Sequence, residues 1–315
     1  MFTVKRLSRQ GKHFQNFTGM KVEEFQEVLG AVRPVYIKEQ RKRLKKPRRQ
    51  RKAGGGRKFE LELEERLLLT LMYLRLYVSQ TLLGYMFDLD DSNISREINK
   101  RMVPSLKQVL PVPLQEELLT PSLQAHAKKR ISTLEELLEA HPEFKELFVD
   151  ATEQEVPKPK DKLARKQRYS GKKKQHTLKS QVTVSNRLVL HLSKHVPGSV
   201  HDFSLLRATG VVYAVQAQKR KLRLDKGYEG IEDAYPDADI DKPKRAQRNH
   251  PLSPLEKIYN QVLSSLRMPV EHTLGFLKKF AVLAGIYRGP THRYDDTFLV
   301  VAGLSNFRIM NKLAF

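Results

Sequence analysis

From Phe144 onward the sequence changes period, and that change limits the fold more than any other feature. Phe144-Lys-Glu-Leu-Phe-Val-Asp150-Ala-Thr reads as a strand that ends in an acidic residue. Residues 178–185 and 188–195 are two further strand-like runs, separated by Asn186-Arg187 at a hairpin turn. Pro197-Gly198 ends the second of them, and His201-Asp-Phe-Ser-Leu-Leu-Arg207 begins a helix with Asp202 near its start. Leu222-Arg-Leu-Asp225-Lys-Gly-Tyr228 is another strand ending in an acid, with Gly227 allowing a sharp exit. Residues 237–242 read as a short strand. From Ser253, a good N-cap, a helix runs through Leu255, Ile258, Val262 and Leu266. Pro269 is expected to kink that helix or start a new one, because a mid-helix proline costs about 3 kcal/mol. Residues 297–309 are apolar enough to pack back as a closing helix. If the first and fourth strands are adjacent and parallel, Asp150 and Asp225 emerge on one edge. Glu271, on a helix across that face, would complete a three-carboxylate pocket.

That helix carries Arg267-Met-Pro-Val-Glu271-His-Thr-Leu-Gly-Phe-Leu-Lys278. Arg267, Glu271 and Lys278 stand at i, i+4 and i+11, within about 40° of one another on a helix. Val270, Leu274, Leu277, Ala281 and Ala284 form the neighbouring apolar stripe, which sets the charged row at the edge of a buried face. A carboxylate between two cations there is either part of a salt-bridged surface or a metal ligand beside phosphate-binding groups. Three hard oxygen ligands suit Mg²⁺ or Mn²⁺ better than Zn²⁺. Two such ions about 3.5–4 Å apart can activate an attacking oxygen and stabilise a leaving one in phosphodiester chemistry. Asp202 is the alternative second ligand, although an Asp at a helix start often serves as a cap. Glu153 is expected to face solvent or DNA, and His176, His201 and His272 are read as structural or DNA-contacting.

The first 110 residues have helical spacing instead. One short amphipathic helix is expected within 1–37, capped by Thr18 and stopped by Pro34, with Val22, Phe25, Val28, Leu29 and Val32 on its apolar side. Residues 38–58 are a basic run ending in three glycines, read as a mobile linker that tracks phosphates. A nuclear-localisation signal and a merely solvated run are the other readings. Within 59–110, Leu67, Leu68, Leu71, Leu74 and Val78 recur at helical spacing. A short helix over 79–87, a turn at Asp88-Leu-Asp-Asp91 and a second helix over 92–100 follow. Ile94, Ile98 and Met102 would face inward, leaving Arg96, Asn99 and Lys100 outward and Asn93 near the helix start. This is the helix-turn-helix layout, whose second helix enters the major groove. Residues 111–143 form a proline-punctuated connector with a helix over 133–140, where Leu134, Leu137 and Leu138 pack inward.

Helical hairpins that bind no DNA share that layout, so charge decides. With 58 Lys and Arg against 35 Asp and Glu, the net charge is +23, a field suited to a polyanion and most simply to nucleic acid. No run approaches the roughly 18 apolar residues of a membrane span, and the N-terminus lacks a secretory core. Cysteine is absent, which excludes disulfides, a thiolate metal site and a cysteine nucleophile, and fits an intracellular protein.

In this order the motifs resemble those of the DDE transposases of the bacterial insertion-sequence family five, relatives of the Harbinger-type transposases. The likeness covers nearly the whole chain. It includes the helix-turn-helix stretch 67–106, Asp150-Ala-Thr, Tyr169-Ser-Gly-Lys-Lys-Lys-Gln-His-Thr-Leu-Lys179 and Pro197-Gly-Ser-Val-His-Asp202. It continues with Asp225-Lys-Gly-Tyr228 and Arg267…Glu271…Lys278. One departure is Ser264, which stands where neighbouring families carry a Tyr three residues before the Arg.

The resemblance implies an α+β chain, with an N-terminal helix-turn-helix region followed by a ribonuclease-H-like α/β catalytic domain with a mixed sheet over 144–315. Asp150, Asp225 and Glu271 would be catalytic and bind two divalent ions, Mg²⁺ with Mn²⁺ as substitute. The implied partner is double-stranded DNA, both terminal inverted repeats and target, engaged by a synaptic homodimer in the bacterial cytoplasm, with no membrane. Asn93, Arg96, Asn99 and Lys100 would contact DNA. Lys172, Lys173, Lys174 and Lys179 would steer the strand, and Arg267 and Lys278 would fix phosphates or orient Glu271. The rival readings are a non-catalytic repressor or domesticated derivative, and a structure-selective nuclease.

Overall fold

The computed structural model describes residues 2–44, 61–115, 132–246 and 251–313. Contacts divide the chain into two units. One comprises Met1–Val112, Leu277–Gly285 and Gly289–Phe315, and the other Pro113–Phe276 and Ile286–Arg288. The stretch 144–315, expected as one domain, is therefore shared between them. The closing helix, Tyr294–Leu313, belongs with the N-terminal helices.

The first unit holds α1 (Val4–Ser8), α2 (Gly11–Thr18), α3 (Val22–Leu44), α4 (Leu63–Leu76), α5 (Gln80–Phe87), α6 (Asp91–Glu97) and α7 (Val103–Val109). Three helices thus occupy the region where one was expected. Thr18 closes α2 by donating its hydroxyl to the Phe14 carbonyl at 2.7 Å, rather than capping α3. Pro34 lies inside α3 and does not end it. Beyond that proline the helix is anchored by buried Tyr36, whose hydroxyl donates to Glu97 at 2.9 Å. The first part of the basic run 38–58 is accordingly helical to Leu44; residues 45–58 lie outside those described.

Helix α4 is apolar almost all round, and Leu67, Leu68, Leu69, Leu71 and Leu74 are fully buried, as a central core helix must be. Beside it Glu97 of α6 is 2% exposed. Its carboxylate receives Arg66 at 2.8 Å, Arg101 at 2.6 Å and the Tyr36 hydroxyl, the pairing a buried charge requires. Ser79 caps α5 at the Leu82 N–H. Asp88 ends α5 in the left-handed conformation, φ 55°. A Cβ on Gly84 would lie 2.4 Å from the Leu89 carbonyl oxygen, so only glycine lets the turn fold back onto α5. The Thr81 hydroxyl donates to Asp91 at 2.6 Å and ties α5 to α6. Ile94, Ile98 and Met102 are buried as expected, and a π turn at Ile98–Met102 links α6 to α7.

The second unit is built on a sheet of β1 (Glu146–Glu155), β2 (Tyr169–Ser170), β3 (Gln175–Ser185), β4 (Leu188–Leu192), β5 (Val196–Pro197), β6 (Lys221–Arg223) and β7 (Ile240–Asp241). Strand β1 pairs antiparallel with β3 and parallel with β6; β7 extends the parallel side, and β2, β4 and β5 line the far edge of β3. This mixed order, an antiparallel part continued by parallel strands beside the first, is ribonuclease-H-like. Asn186 and Arg187 have φ of 48° and 67°, the positive pair that a two-residue hairpin turn between β3 and β4 demands.

Helices α8 (Leu134–Ala140), α9 (Lys162–Arg168), α10 (Asp202–Ala208), α11 (Val211–Ala217), α12 (Ile231–Ala234) and α13 (Pro254–Leu277) complete the unit. Alternation along the strands sends Leu147, Val149, Leu222 and Leu224 into one core with Leu134 and Leu138 of α8 and Val211 and Val215 of α11. The opposite parity carries Phe148, Asp150, Arg223 and Asp225. Helix α13 runs through Pro269 without a break. The proline removes one helical N–H, while Leu263 before it and Val270 and Leu277 after it stay buried on one side. The helix stops at Leu277, so Lys278, Ala281 and Ala284 are not on it.

His191, on β4, is 1% exposed, and its Nδ1 has no hydrogen-bond partner among the described residues. Burial lowers its pKa from 6.5 to about 4. The folded state therefore holds it neutral, and the unfolded chain takes up a proton below about pH 6.5. Its contribution to stability is full above that pH and is lost as pH falls toward 4. We expect His191→Gln to reduce the acid sensitivity of the fold, by about 3 kcal/mol between pH 7 and pH 4. Urea unfolding of wild type and variant at both pH values checks this, and equal acid losses would refute it.

Candidate active site

The parallel pairing of β1 with β6 aligns Glu146 with Lys221 and Phe148 with Arg223. Extending that register by two residues sets Asp150 level with Asp225, on the same side of the sheet. The expected adjacency of the two acids is thus met, with one difference. Asp150 does not end its strand, because β3 continues to pair with β1 as far as Glu155. The β6 ladder ends at Arg223, which leaves Asp225 on the exit loop beside a continuing β1.

Arg267 of α13 donates to Asp225 Oδ1 at 2.8 Å and is itself largely buried. Burial alone would raise the Asp225 pKa; Arg267, the Lys226 N–H at 2.8 Å and the Lys172 charge outweigh it and hold the carboxyl below its ordinary value. Asp150 goes the other way. Burial raises its pKa, Arg267 and the Ala151 N–H offset only part of the rise, and Asp225 and Asp202 add to it. The two carboxylates therefore differ in electrostatic setting: one is paired with a guanidinium, the other is desolvated and faces like charge.

Asp202 enters the same neighbourhood, as its effect on Asp150 shows. It occupies the first turn of α10 without capping it, and its Oδ1 lies 2.7 Å from Lys179 Nζ. Lys179 was expected to steer DNA, and here the structure differs. The residue is 6% exposed and donates to the Val200 carbonyl at 2.6 Å, with Glu153 at 3.7 Å. The strand alternation of β3 turns Lys179 inward, where it neutralises acids. Glu153, expected to face solvent or DNA, accepts from the Thr177 hydroxyl at 2.8 Å on the same strand pair.

Lys172, Lys173 and Lys174 are exposed at the tip of the β2–β3 hairpin, and Lys172 is the one that acts on Asp225. Glu271 is exposed on α13, one turn beyond Arg267, and forms no hydrogen bond or ion pair among the described residues. Lys278 falls in the other contact unit and off the helix, so the expected row Arg267, Glu271, Lys278 is broken at its third member. No three His, Cys, Asp or Glu side chains among the described residues converge closely enough to hold a metal ion. The donor set is nevertheless of the right kind. Asp150, Asp225 and Asp202 are hard oxygen donors, and Asp150 is desolvated and under like charge from the other two, which a divalent ion would offset.

Sequence reasoning gave Tyr228 no role beyond its place in the Asp225-Lys-Gly-Tyr228 motif. The residue is 1% exposed, and its hydroxyl has no hydrogen-bond partner among the described residues. Asp202, Asp150 and Asp225 add to the effect of burial in raising its pKa, so the hydroxyl lies within their field. The motif spacing alone was the signal: three residues after Asp225, a turn closed by the Tyr228 N–H on the Asp225 carbonyl at 3.2 Å returns the ring to the core.

On the helix-turn-helix, Asn93, Arg96 and Lys100 are exposed, and Arg96 donates to the Asn93 side chain at 2.9 Å. Asn99 differs from expectation. It is half-buried, and its amide donates to the Ser95 carbonyl at 2.9 Å, the π turn having rotated it off the outer face.

Acids from adjacent strands of a ribonuclease-H-like sheet, in a chain that also carries a helix-turn-helix, define a DNA-processing enzyme. The chain belongs to the DDE superfamily of endonucleases: residues 149–306 match that family, and 59–111 match the helix-turn-helix of DDE superfamily endonucleases. This agrees with the recognition made from the motifs, a DDE enzyme of the insertion-sequence transposase type. It is 27% identical to the probable transposase for insertion sequence element IS702 of Microchaete diplosiphon, over 96% of each chain. The Mos1 transposase paired-end complex with left transposon end aligns at TM-score 0.22 and 11% identity, over 90% of this chain and 86% of that one, too distant to bear on the fold. No described helix is long and apolar enough to cross a membrane.

Replacing Lys179 by Met would leave Asp202 and Glu153 without their shared cation. We expect a loss of about 3 kcal/mol in stability, measured by urea unfolding at pH 7. A loss below about 0.5 kcal/mol would mean the lysine is not holding these acids.

Proposed function

We propose that this chain is a transposase that binds the terminal inverted repeats of its own insertion sequence, cuts at their boundary and joins the freed ends to target DNA. The observation that carries the reading is the β1–β6 register, which, extended by two residues, sets Asp150 level with Asp225 on one side of the sheet. In this reading Asp150, Asp225 and Glu271 hold divalent cations, Mg²⁺ with Mn²⁺ as substitute, two per site. Held by those carboxylates, such ions would supply activation of the attacking oxygen and stabilisation of the leaving oxygen of a phosphodiester. Arg267 keeps Asp225 ionised and placed. It also screens Asp225 from Asp150, so the two acids tolerate proximity. Lys172, Lys173 and Lys174 attract the DNA backbone from the hairpin tip, and Lys278 adds a phosphate contact.

Hydrolysis leaves a 3′-hydroxyl at the element's end. That hydroxyl displaces a 3′-oxygen in the target strand, forming one phosphodiester as another breaks, with no covalent enzyme intermediate. Recognition falls to Asn93, Arg96 and Lys100 on the second helix of the helix-turn-helix, with residues 59–110 as the end-binding domain. Two chains acting on paired ends, in a bacterial cytoplasm, complete the proposal.

Incubating repeat-bearing DNA with Mg²⁺ and protein, and mapping nicks at single-nucleotide resolution, tests it. Wild type should cut at the repeat boundary, while Asp225→Asn keeps its DNA affinity within about twofold and loses cleavage by at least about a thousandfold. Binding without cutting by wild type, in Mg²⁺ and Mn²⁺ alike, would make the chain a repressor. Arg96→Ala should lower discrimination between repeat and random DNA by about 1–3 kcal/mol in competition binding. Equal weakening on both DNAs would make Arg96 a phosphate contact instead.

A further inference from the structure

The two helices of the helix-turn-helix are short of positive charge. Between Ser79 and Lys100 they expose Arg96 and Lys100, but also Asp88, Asp90 and Asp91 at and beside the turn. A duplex carries one negative charge per about 1.7 Å of axis, and cations that replace its counterions supply much of the affinity. Arg96 and Lys100 can select a sequence, yet the three aspartates offset their pull on the backbone. Helices α1 and α2 have the opposite balance. No Asp or Glu precedes Glu23, whereas Lys5, Arg6, Arg9 and Lys12 are all exposed. None of these four side chains forms an ion pair among the described residues. Val4, Leu7 and Phe14 bury the other side of the pair, and both helices pack on α4.

Their position relative to the turn is fixed as well. The Phe2 N–H donates to the Met86 carbonyl at 3.0 Å, and the Phe2 ring meets Phe87 edge-on at 6.0 Å. Met86 and Phe87 end α5, so α1 starts beside the turn that leads into α6. A cavity of about 240 Å³ opens at α1 and α2, with apolar walls from Phe2 and Phe17 and polar ones from Arg6, Gln10 and His13. A deoxyribose phosphate has the same two characters, an apolar sugar and an anionic group. We infer that α1 and α2 form a backbone-binding arm, which holds phosphates of the duplex next to the groove that α6 enters. Cations fixed beside a recognition helix meet the duplex that the helix reads, which favours DNA over an acidic protein. Such contacts set register and affinity and carry no sequence information. The inference rests on the DNA-binding part of the function proposed above. It gives that function a surface outside the 59–111 family match.

The test combines Lys5→Gln, Arg9→Gln and Lys12→Gln, three exposed changes that should leave the circular dichroism spectrum as it is. In binding titrations without metal, the slope of log affinity against log salt should become shallower by about 2 to 3, at about 0.9 per lost phosphate contact. Discrimination between repeat and random DNA should stay within about twofold. A control with Lys145→Gln, Lys219→Gln and Lys257→Gln removes the same charge from exposed sites in the second unit. It should change the slope by less than about 1. Hydroxyl-radical footprinting on the repeat should show protected sugars beside those covered by α6, lost in the arm variant and kept in the control. Equal slopes for the two triple variants, or an unchanged footprint, would overturn the inference. So would a loss of discrimination without a change in slope, since the arm would then read bases. Random duplex is held through its backbone, so its slope tests the arm even where the repeats are neither recognised nor cut.

Discussion

The candidate site depends on β1 being a two-sided strand. Its antiparallel pairing with β3 runs far along the strand, while its parallel pairing with β6 covers only Glu146 to Phe148. A parallel neighbour cannot follow through a tight turn; the chain must leave the sheet and return, and here it does so through α10 and α11. That crossover delivers Asp225 beside Asp150, although 75 positions separate them in sequence. It also brings Asp202, at the first turn of α10, into the same field. The hydrophobic alternation that sends Leu147, Val149, Leu222 and Leu224 into the core leaves the opposite parity for charge. Core and site are thus two faces of one periodicity.

Charge is then managed by buried pairing. In the first unit Glu97 collects two guanidiniums and a phenol, and this holds together α3, α4 and α6 around the helix-turn-helix. In the second, Lys179 holds Asp202 and Glu153, and Arg267 holds Asp225. Arg223 joins Glu146 and Asp241 across three parallel strands, at 2.9 and 2.8 Å. A chain with a large positive net charge spends several of its cations inside, where desolvation makes a paired carboxylate obligatory. The basicity left for DNA is that of the helix-turn-helix surface, the β2–β3 hairpin tip and the other exposed cations.

Much of this was legible in sequence because it rests on local period. The hairpin with Asn186-Arg187 at its turn, the inward Ile94, Ile98 and Met102, the helix over 133–140 and the closing helix all follow from spacing and turn chemistry. Where local rules failed, a tertiary contact overrode them. Pro34 was expected to stop a helix and Pro269 to kink one or start another, yet no new helix starts at either, and buried residues beyond them hold the helix together. Lys179 looked like one more exposed lysine of a basic block, but β3 turns it toward buried acids. Asn99 looked outward until a π turn rotated it.

The sequence by itself determined the family and the helix-turn-helix and singled out the candidate acids, because motif spacing and periodicity are properties of neighbouring residues. Only the tertiary structure decided which acids meet and what each one faces. The distance between Asp150 and Asp225, the guanidinium on one and not the other, the inward Lys179 and the buried Tyr228 hydroxyl arise where segments far apart in sequence pack together. No residue carries that information alone, because desolvation and Coulomb terms depend on neighbours that only the folded chain supplies.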